Sequence, residues 1–141
     1  MDGARARGYR VDFVALHWYG DKFGVDEAVN ELKNFLEDVY HKFQLPIWLT
    51  EYSLIRWSDP PGYPSWEEQA EFAAKSVEML ETLPFVKRYA WYSLPPWTKD
   101  GSDTTALYND NGEPTPVGNA YRRAGLKAGL LSLAPLRQRT Q

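Results

Sequence analysis

Three short clusters of aromatic and reactive side chains each follow a run of apolar residues. The clusters are His17-Trp18-Tyr19, Thr50-Glu51-Tyr52 and Trp91-Tyr92-Ser93, and two more indoles, Trp57 and Trp97, lie in the loops behind the last two. Glu51 is the one carboxylate in these clusters. Aromatic rings offer flat apolar faces to the C–H faces of pyranoses, and a carboxylate can attack or stabilise an oxocarbenium-like centre. This combination indicates chemistry on sugars.

These residues also have ordinary structural interpretations. A lone glutamate at a strand end is more often a capping or salt-bridge residue than a nucleophile, and a strand histidine is more often a structural residue than a base. Trp48 and Trp66 lie within periodic apolar patterns and are predicted to be core, whereas Trp57 and Trp97 could equally line a groove. With only two histidines, one on a strand and one on a helix, the sequence predicts no zinc site and no cofactor.

The composition excludes several classes of protein. The 141 residues carry 16 basic and 19 acidic side chains, a formal net charge of −3 without a cluster of lysine and arginine, which argues against a nucleic-acid partner. No apolar run approaches the roughly 18 residues of a membrane span, and residues 1–10 lack the apolar stretch of a secretion signal. The absence of cysteine excludes a disulfide scaffold and thiol catalysis.

Hydrophobic periodicity predicts alternating strands and helices. We expect buried strands over residues 10–19, 47–52 and 85–93, an amphipathic helix over 25–43, a second helix after Ser65, and a last helix from Pro116 to about Arg123. Ser65 and Glu68 form a capping-box pattern, and Thr115 is placed to cap the last helix. Short connections between apolar strands and helices are typical of parallel β/α units. Residues 125–141 are expected to form a flexible tail.

In parallel β/α folds the active residues lie at the carboxyl ends of the strands, where the loops form a rim. All three clusters fall at such ends, so we expect them to share one rim around Glu51. There is no glycine-rich phosphate loop, no Gly-x-Ser-x-Gly elbow and no Cys–His pair. Residues 109–112 resemble part of a calcium loop, but its first and last ligand positions would fall on Leu107 and Gly118. Hydrolysis by carboxylates remains the favoured chemistry.

Four segments carry these motifs in order: VDFVALHWYG (11–20), LPIWLTEYSL (45–54), VKRYAWYS (86–93) and ALYNDNGEPTPVGNAYR (106–122). Together they resemble glycoside hydrolase family 128, the catalytic core also found in alkali-sensitive linkage proteins. The resemblance implies a (β/α)8 TIM barrel and retaining hydrolysis of β-1,3-glucan. It makes Glu51 the nucleophile on barrel strand 7, with His17 and Tyr19 on strand 6 and Trp91 on strand 8 lining the adjacent sugar subsite.

The chain is shorter than such a barrel, which takes about 250 residues. It is expected to hold about three parallel strands with outer helices, an α/β fold corresponding to barrel strands 6 to 8. In the family, strand 4 carries an Asn-Glu-Pro motif whose glutamic acid protonates the leaving oxygen, and this strand is missing. Retaining hydrolysis needs two carboxyl groups about 5 to 5.5 Å apart, so Glu51 alone cannot complete it. Glu113, in a similar Asn-Gly-Glu-Pro run, lies in a turn and is discounted.

The sequence therefore predicts the carboxyl-terminal part of a β-1,3-glucanase barrel over residues 1–124. The expected ligand is a β-glucan polysaccharide or oligosaccharide, with Glu51 as nucleophile and sugar-binding roles for His17, Tyr19, Trp91, Tyr92, Trp57 and Trp97. The isolated chain is expected to be inactive or very weak, and its expected partner is a missing amino-terminal barrel portion or a second copy of itself. A glucan-binding remnant and a structural or interaction fragment remain as alternatives. The resemblance suggests an extracellular or cell-wall location.

Overall fold

The computed structural model describes residues 2–96, 98 and 100–133 and contains one three-stranded sheet. The strands are β1 (Val14–Gly20), β2 (Ile47–Leu54) and β3 (Val86–Trp91), in the order β1-β2-β3, and both strand pairs are parallel. The helices are α1 (Asp2–Ala6), α2 (Val25–Phe43), α3 (Trp66–Leu80) and α4 (Pro116–Leu133). The predicted α/β class with three parallel strands is confirmed. Its assignment to strands 6 to 8 of a barrel stays a prediction.

The boundaries of α2 agree with the sequence pattern, because the apolar periodicity begins and ends with the helix. Its buried stripe is formed by Ala28, Leu32 and Leu36. Gln44 follows the helix in the left-handed conformation and donates its backbone N–H to the Tyr40 carbonyl oxygen at 2.8 Å. The helix α1 was not predicted. β1 begins at residue 14 rather than 10, because its pairing starts opposite the first residue of β2.

Two helices begin with the predicted caps. The Ser65 hydroxyl accepts the Glu68 N–H at 3.2 Å, and the Glu68 carboxylate accepts the Ser65 N–H at 2.8 Å. The Ser65 backbone N–H, followed by the Ser65 side chain, holds the pKa of the Glu68 carboxyl below its usual value. At α4, which begins at Pro116, the Thr115 hydroxyl accepts the Gly118 N–H at 3.1 Å. The first residues of both helices could be predicted from the sequence, because capping depends only on residues close together in the chain.

Replacing Ser65 with Ala is expected to lower the free energy of unfolding by about 1 kcal/mol, because the first turn of α3 loses its side-chain acceptor. Urea unfolding followed by circular dichroism measures the change. Ser65→Asp keeps an acceptor oxygen and is the matched control, with an expected loss below about 0.5 kcal/mol. Equal losses in the two variants would contradict the capping role.

The predicted end of the last helix, near Arg123, is wrong, because α4 continues to Leu133. No proline interrupts residues 124–133, and the two glycines there lower helix propensity without preventing the helix. Packing on α3 adds support, including an ion pair between Lys127 Nζ and Glu78 Oε1 at 2.6 Å. Residues 134–141 of the predicted tail lie outside the described residues. None of the helices in the described part of the chain has the length and apolarity to cross a membrane.

The core lies between one face of the sheet and the helices. Phe72 of α3 is fully buried and packs against one aromatic ring from each strand. Its ring centroid lies 5.9 Å from Trp18, 6.2 Å from Tyr52 and 6.0 Å from Trp91. Tyr121 of α4 packs on Trp91 at 5.9 Å, so α3 and α4 close the core over β3. This aromatic core packs the helices against one face of the sheet.

The opposite face of the sheet is uncovered in the described structure. We call it the open face, and its residues include Phe13, Ala15, Trp48, Thr50, Arg88 and Ala90. Phe13 stacks on Trp48 with ring centroids 3.9 Å apart, and the Arg88 guanidinium carbon lies 4.8 Å from the Trp48 ring. The prediction that Trp48 is core is therefore wrong, because strand alternation turns it to this face. Trp66 does pack against the core.

Candidate active site

β2 carries one extra residue where the clusters of β1 and β2 meet. Leu16 pairs with Leu49 in the parallel register. The next residue, His17, pairs with Glu51, so Thr50 is left over as a β-bulge. The Thr50 hydroxyl donates to the Leu16 carbonyl oxygen at 3.1 Å. Ordinary alternation would turn Glu51 to the helix side with Leu49, and the bulge instead leaves it beside His17 on the open face.

The Glu51 carboxylate contacts two polar groups from the end of β1. Tyr19 Oη donates a hydrogen bond to Glu51 Oε2, and His17 Nδ1 lies 3.3 Å from the same oxygen. The Glu51 side chain is 36% exposed and the His17 side chain 53% exposed. A carboxylate that is oriented by its neighbours and still reachable from solvent is suited to nucleophilic attack on a bound substrate.

Tyr19 is held in its protonated form. Burial raises the pKa of the Tyr19 phenol well above its ordinary value, and the hydrogen bond and charge of Glu51 raise it further. Burial also raises the pKa of Tyr92, followed by the charges of Glu51 and Asp103. Both phenols therefore remain neutral donors at the pH values where a carboxylate is ionised.

Three rings form a group that we call the aromatic wall: Tyr19, which is bonded to Glu51, and Trp57 and Tyr92, which both pack on Tyr19. The Tyr19 ring meets Trp57 edge to face at 5.2 Å and Tyr92 at 5.6 Å, with interplanar angles of 88° and 89°. Trp57 is 53% exposed, so part of its surface is open to a ligand. Trp97, for which the sequence predicts a sugar-binding role, lies outside the described residues.

The loop that carries Trp57 is closed by a two-way backbone bridge. The N–H of Arg56 donates to the Gly62 carbonyl oxygen, and the N–H of Gly62 donates to the Arg56 carbonyl oxygen, both at 3.0 Å. The Arg56 guanidinium carbon lies 5.5 Å from the Phe23 ring of the preceding loop. A Cβ at position 62 would lie 2.7 Å from an Arg56 guanidinium nitrogen, so a larger residue there would require this flexible side chain to move away from the loop.

The structure argues against the predicted role of Trp91 as a sugar platform. Trp91 is only 8% exposed and packs edge to face on Tyr52 at 5.1 Å, on the helix side of the sheet. Its Nε1 donates to the Thr105 carbonyl oxygen at 2.7 Å. Strand alternation places the neighbouring residue, Tyr92, on the side of Glu51 instead. From the first two clusters, His17, Tyr19, Thr50 and Glu51 therefore share one rim, whereas Trp18 and Tyr52 pack in the core against Phe72. The third cluster contributes only Tyr92.

Two features of the site were not predicted from the sequence. The bulge at Thr50 has no local signal, because only the pairing of neighbouring strands reveals it. The buried carboxylate Asp103 lies in the run Ser-Asp-Thr-Thr (102–105), whose side chains commonly bond to nearby backbone, and that pattern could have indicated an ordered loop. Across the described residues, no group of three or more His, Cys, Asp or Glu is arranged to hold a metal ion.

The chain is similar in sequence to a known protein family and to a known protein. A family model described as the glycosyl hydrolase catalytic core matches residues 4–121. Alkali-sensitive linkage protein 1 of Schizosaccharomyces pombe is 32% identical over 116 residues, which are 79% of this chain and 20% of that protein.

The chain is also similar to solved structures of two enzymes. An endo-β-1,3-glucanase of subgroup I of glycoside hydrolase family 128 from Amycolatopsis mediterranei is 47% identical, with a TM-score of 0.78 over 87% of this chain and 49% of that chain. A subgroup II endo-β-1,3-glucanase from Sorangium cellulosum is 30% identical, with a TM-score of 0.67 over 86% of this chain and 44% of that chain. This chain therefore spans about half the length of these enzymes. The resemblance to glycoside hydrolase family 128 is confirmed, and the chain belongs to the glycosyl hydrolase catalytic core family.

Proposed function

We propose that this chain carries the nucleophile, Glu51, of a glycoside hydrolase that cleaves β-1,3-glucan. The supporting observation is the place of Glu51 Oε2 between Tyr19 Oη and His17 Nδ1, at the carboxyl ends of parallel strands. The Amycolatopsis enzyme has been crystallised with laminaritriose and laminaribiose, which motivates the same substrate class here. On these grounds β1, β2 and β3 correspond to barrel strands 6 to 8, and the whole enzyme acts on glucan outside the cell or in the cell wall.

In the proposed mechanism the Glu51 carboxylate attacks the anomeric carbon of the sugar. The glycosidic C–O bond breaks as a glycosyl ester forms on Glu51, and water later releases the sugar with net retention. Tyr19 keeps the attacking carboxylate oriented, because its phenol is bonded to Oε2 and stays protonated. His17 lies against the same oxygen and is placed to orient it and to contact the sugar.

The leaving oxygen needs a proton from a second carboxylic acid about 5 to 5.5 Å from the nucleophile. We propose that this acid belongs to the half of the barrel that this chain does not match. That half would also cover the open face, where the stacked rings of Phe13 and Trp48 present apolar surface. A second copy of this chain is less suited, because it brings another nucleophile and no matching acid. The isolated chain should then hydrolyse glucan very weakly or not at all.

A second candidate function is glucan binding without cleavage. One observation favours it: the aromatic wall and Glu51 are all present within this chain, so binding does not require the missing acid. Rings that pack on pyranose faces supply affinity whether or not the glycosidic bond breaks. Binding by the isolated chain without release of reducing sugar would support this candidate, whereas measurable hydrolysis would contradict it.

Replacing Trp57 with Ala is expected to weaken binding of laminaritriose by about tenfold, because the exposed ring of the aromatic wall is removed. Isothermal titration calorimetry on the isolated chain measures the affinity. Trp48→Ala is the matched control, since Trp48 lies on the same sheet near the opposite end of β2 and should leave the affinity unchanged.

The outcomes separate the candidates. Equal losses in the Trp57 and Trp48 variants would contradict the wall as the binding site. If the unsubstituted chain forms a defined oligomer in light scattering and binds no laminari-oligosaccharide, an interaction fragment is favoured over both glucan functions.

A further inference from the structure

Asp103 is the one carboxyl group among the described residues that is almost fully buried, with 2% exposure. It lies in the loop between β3 and α4 and takes no part in the proposed chemistry. Burying a carboxylate is costly unless hydrogen bonds compensate it. Asp103 Oδ1 accepts the Thr105 backbone N–H at 2.8 Å and the Thr105 hydroxyl at 2.6 Å. Two bonds from Thr105 to one buried carboxyl oxygen indicate that Asp103 helps to position Thr105.

Thr105 in turn contacts both residues that flank Tyr92. Its carbonyl oxygen accepts the Trp91 indole N–H at 2.7 Å, and its hydroxyl oxygen lies 3.3 Å from Ser93 Oγ. Thr105 is itself fully buried, so these contacts are shielded from water. The residues before and after Tyr92 are thus both fixed to one point in the loop.

Tyr92 is the member of this strand end that faces the site. Its ring meets Tyr19 edge to face at 5.6 Å, and Tyr19 is bonded to Glu51. The charges of Glu51 and Asp103 both raise the pKa of Tyr92, after the larger effect of burial, which agrees with its place between them. A displacement of the loop would therefore move one ring of the aromatic wall.

We propose that Asp103 is a positioning residue of the sugar site. Through Thr105 it fixes Trp91 and Ser93, and so holds Tyr92 against Tyr19 beside Glu51. The effect on glucan rests on the proposed function, whereas the effect on the Tyr92 ring does not.

Asp103→Ala removes the acceptor, and Asp103→Asn keeps an acceptor oxygen while removing the charge. The readout is the ring resonances of Tyr92 in the complete chain with labelled tyrosine, assigned with Tyr92→Phe and recorded without glucan. Asp103→Ala is expected to shift these resonances and to weaken laminaritriose binding by about tenfold. Asp103→Asn is expected to keep the Tyr92 resonances and the laminaritriose affinity of the unsubstituted chain, because the bonds to Thr105 remain possible.

The chain offers a matched control in the same loop. Asp100 Oδ1 accepts the Ser102 N–H at 3.0 Å and the Ser102 hydroxyl at 2.6 Å, but Asp100 is exposed. Asp100→Ala should therefore leave the Tyr92 resonances unchanged. If Asp103→Ala does not fold, Thr105→Val removes only the hydroxyl and is expected to shift the same resonances.

Unchanged Tyr92 resonances in a folded Asp103→Ala or Thr105→Val variant would overturn the proposal. So would an Asp103→Asn variant that behaves like Asp103→Ala, because the charge and not the hydrogen bonds would then matter. A chain that binds no laminaritriose, but whose Tyr92 signals move in Asp103→Ala and return in Asp103→Asn, supports the positioning role while contradicting the proposed function.

Discussion

Replacing Glu51 with Gln is expected to reduce hydrolysis of laminari-oligosaccharides by about 10⁴-fold or more, because an amide cannot form the glycosyl ester. The protein for this experiment is a chimaera in which the chain is joined to the half of the Amycolatopsis enzyme that it does not match. Their 47% identity over 87% of this chain makes the joint interface feasible. Release of reducing sugar measures the rate.

Glu113→Gln is the matched control for this variant. Glu113 is exposed, lies in the turn after β3, and is hydrogen-bonded to Asn109 through its backbone N–H at 2.9 Å. The Glu113 variant should keep the full rate of the chimaera. Equal hydrolysis by the unsubstituted and Glu51→Gln chimaeras would refute the assignment of the nucleophile.

The Glu51→Gln variant should still bind its substrate. The amide oxygen of Gln can accept the hydrogen bond from Tyr19, so the ring beside it need not move. We expect an affinity for laminaritriose within about twofold of the unsubstituted chimaera, by calorimetry. A loss of binding as large as the loss of turnover would mean that Glu51 holds the sugar rather than attacking it.

Replacing Phe72 with Ala is expected to lower the free energy of unfolding by about 3 to 5 kcal/mol. Phe72 is fully buried and touches an aromatic ring from each of the three strands, so its loss leaves a cavity that several rigid rings cannot fill. Denaturant unfolding of the isolated chain, followed by circular dichroism, gives the value.

Phe13→Ala removes a side chain of the same size from the open face, where Phe13 is 37% exposed. Its expected loss is about 1 kcal/mol, since only the stacking on Trp48 is removed. A cost as large as that of Phe72→Ala would contradict an open face, because the Phe13 ring would then have to be buried in solution.

Features that depend on neighbouring residues were predictable from this sequence. The boundaries of α2 follow from its apolar periodicity, and the start of α3 follows from Ser65 and Glu68, whose two bonds are made within one turn. The grouping of His17 and Glu51 was also predictable, because parallel strands bring their carboxyl ends to the same edge. Each of these inferences needs only a short segment or the strand direction.

Features that depend on which side of a strand a residue faces were harder to predict. A segment such as Trp91-Tyr92-Ser93 does not show which of its two rings enters the core. The exposed position was wrongly assigned to Trp91, the larger of the two. The structure places Trp91 under α4 and Tyr92 at the site, because alternation along β3 puts them on opposite faces. Trp48 was misplaced for the same reason, since an apolar pattern is similar on the two faces of a strand.

The single extra residue in β2 makes the local strand pairing, and not only the order of residues, decide where Glu51 lies. If Thr50 were taken into a regular ladder, the Glu51 carboxylate would turn to the buried layer beside Leu49, away from any sugar and from Tyr19 Oη. Deleting Thr50 would instead remove the bulge and keep Glu51 opposite His17, because Leu49 and Glu51 would then alternate regularly. In this scaffold a one-residue shift in strand pairing can therefore silence a reactive centre while every functional side chain is retained.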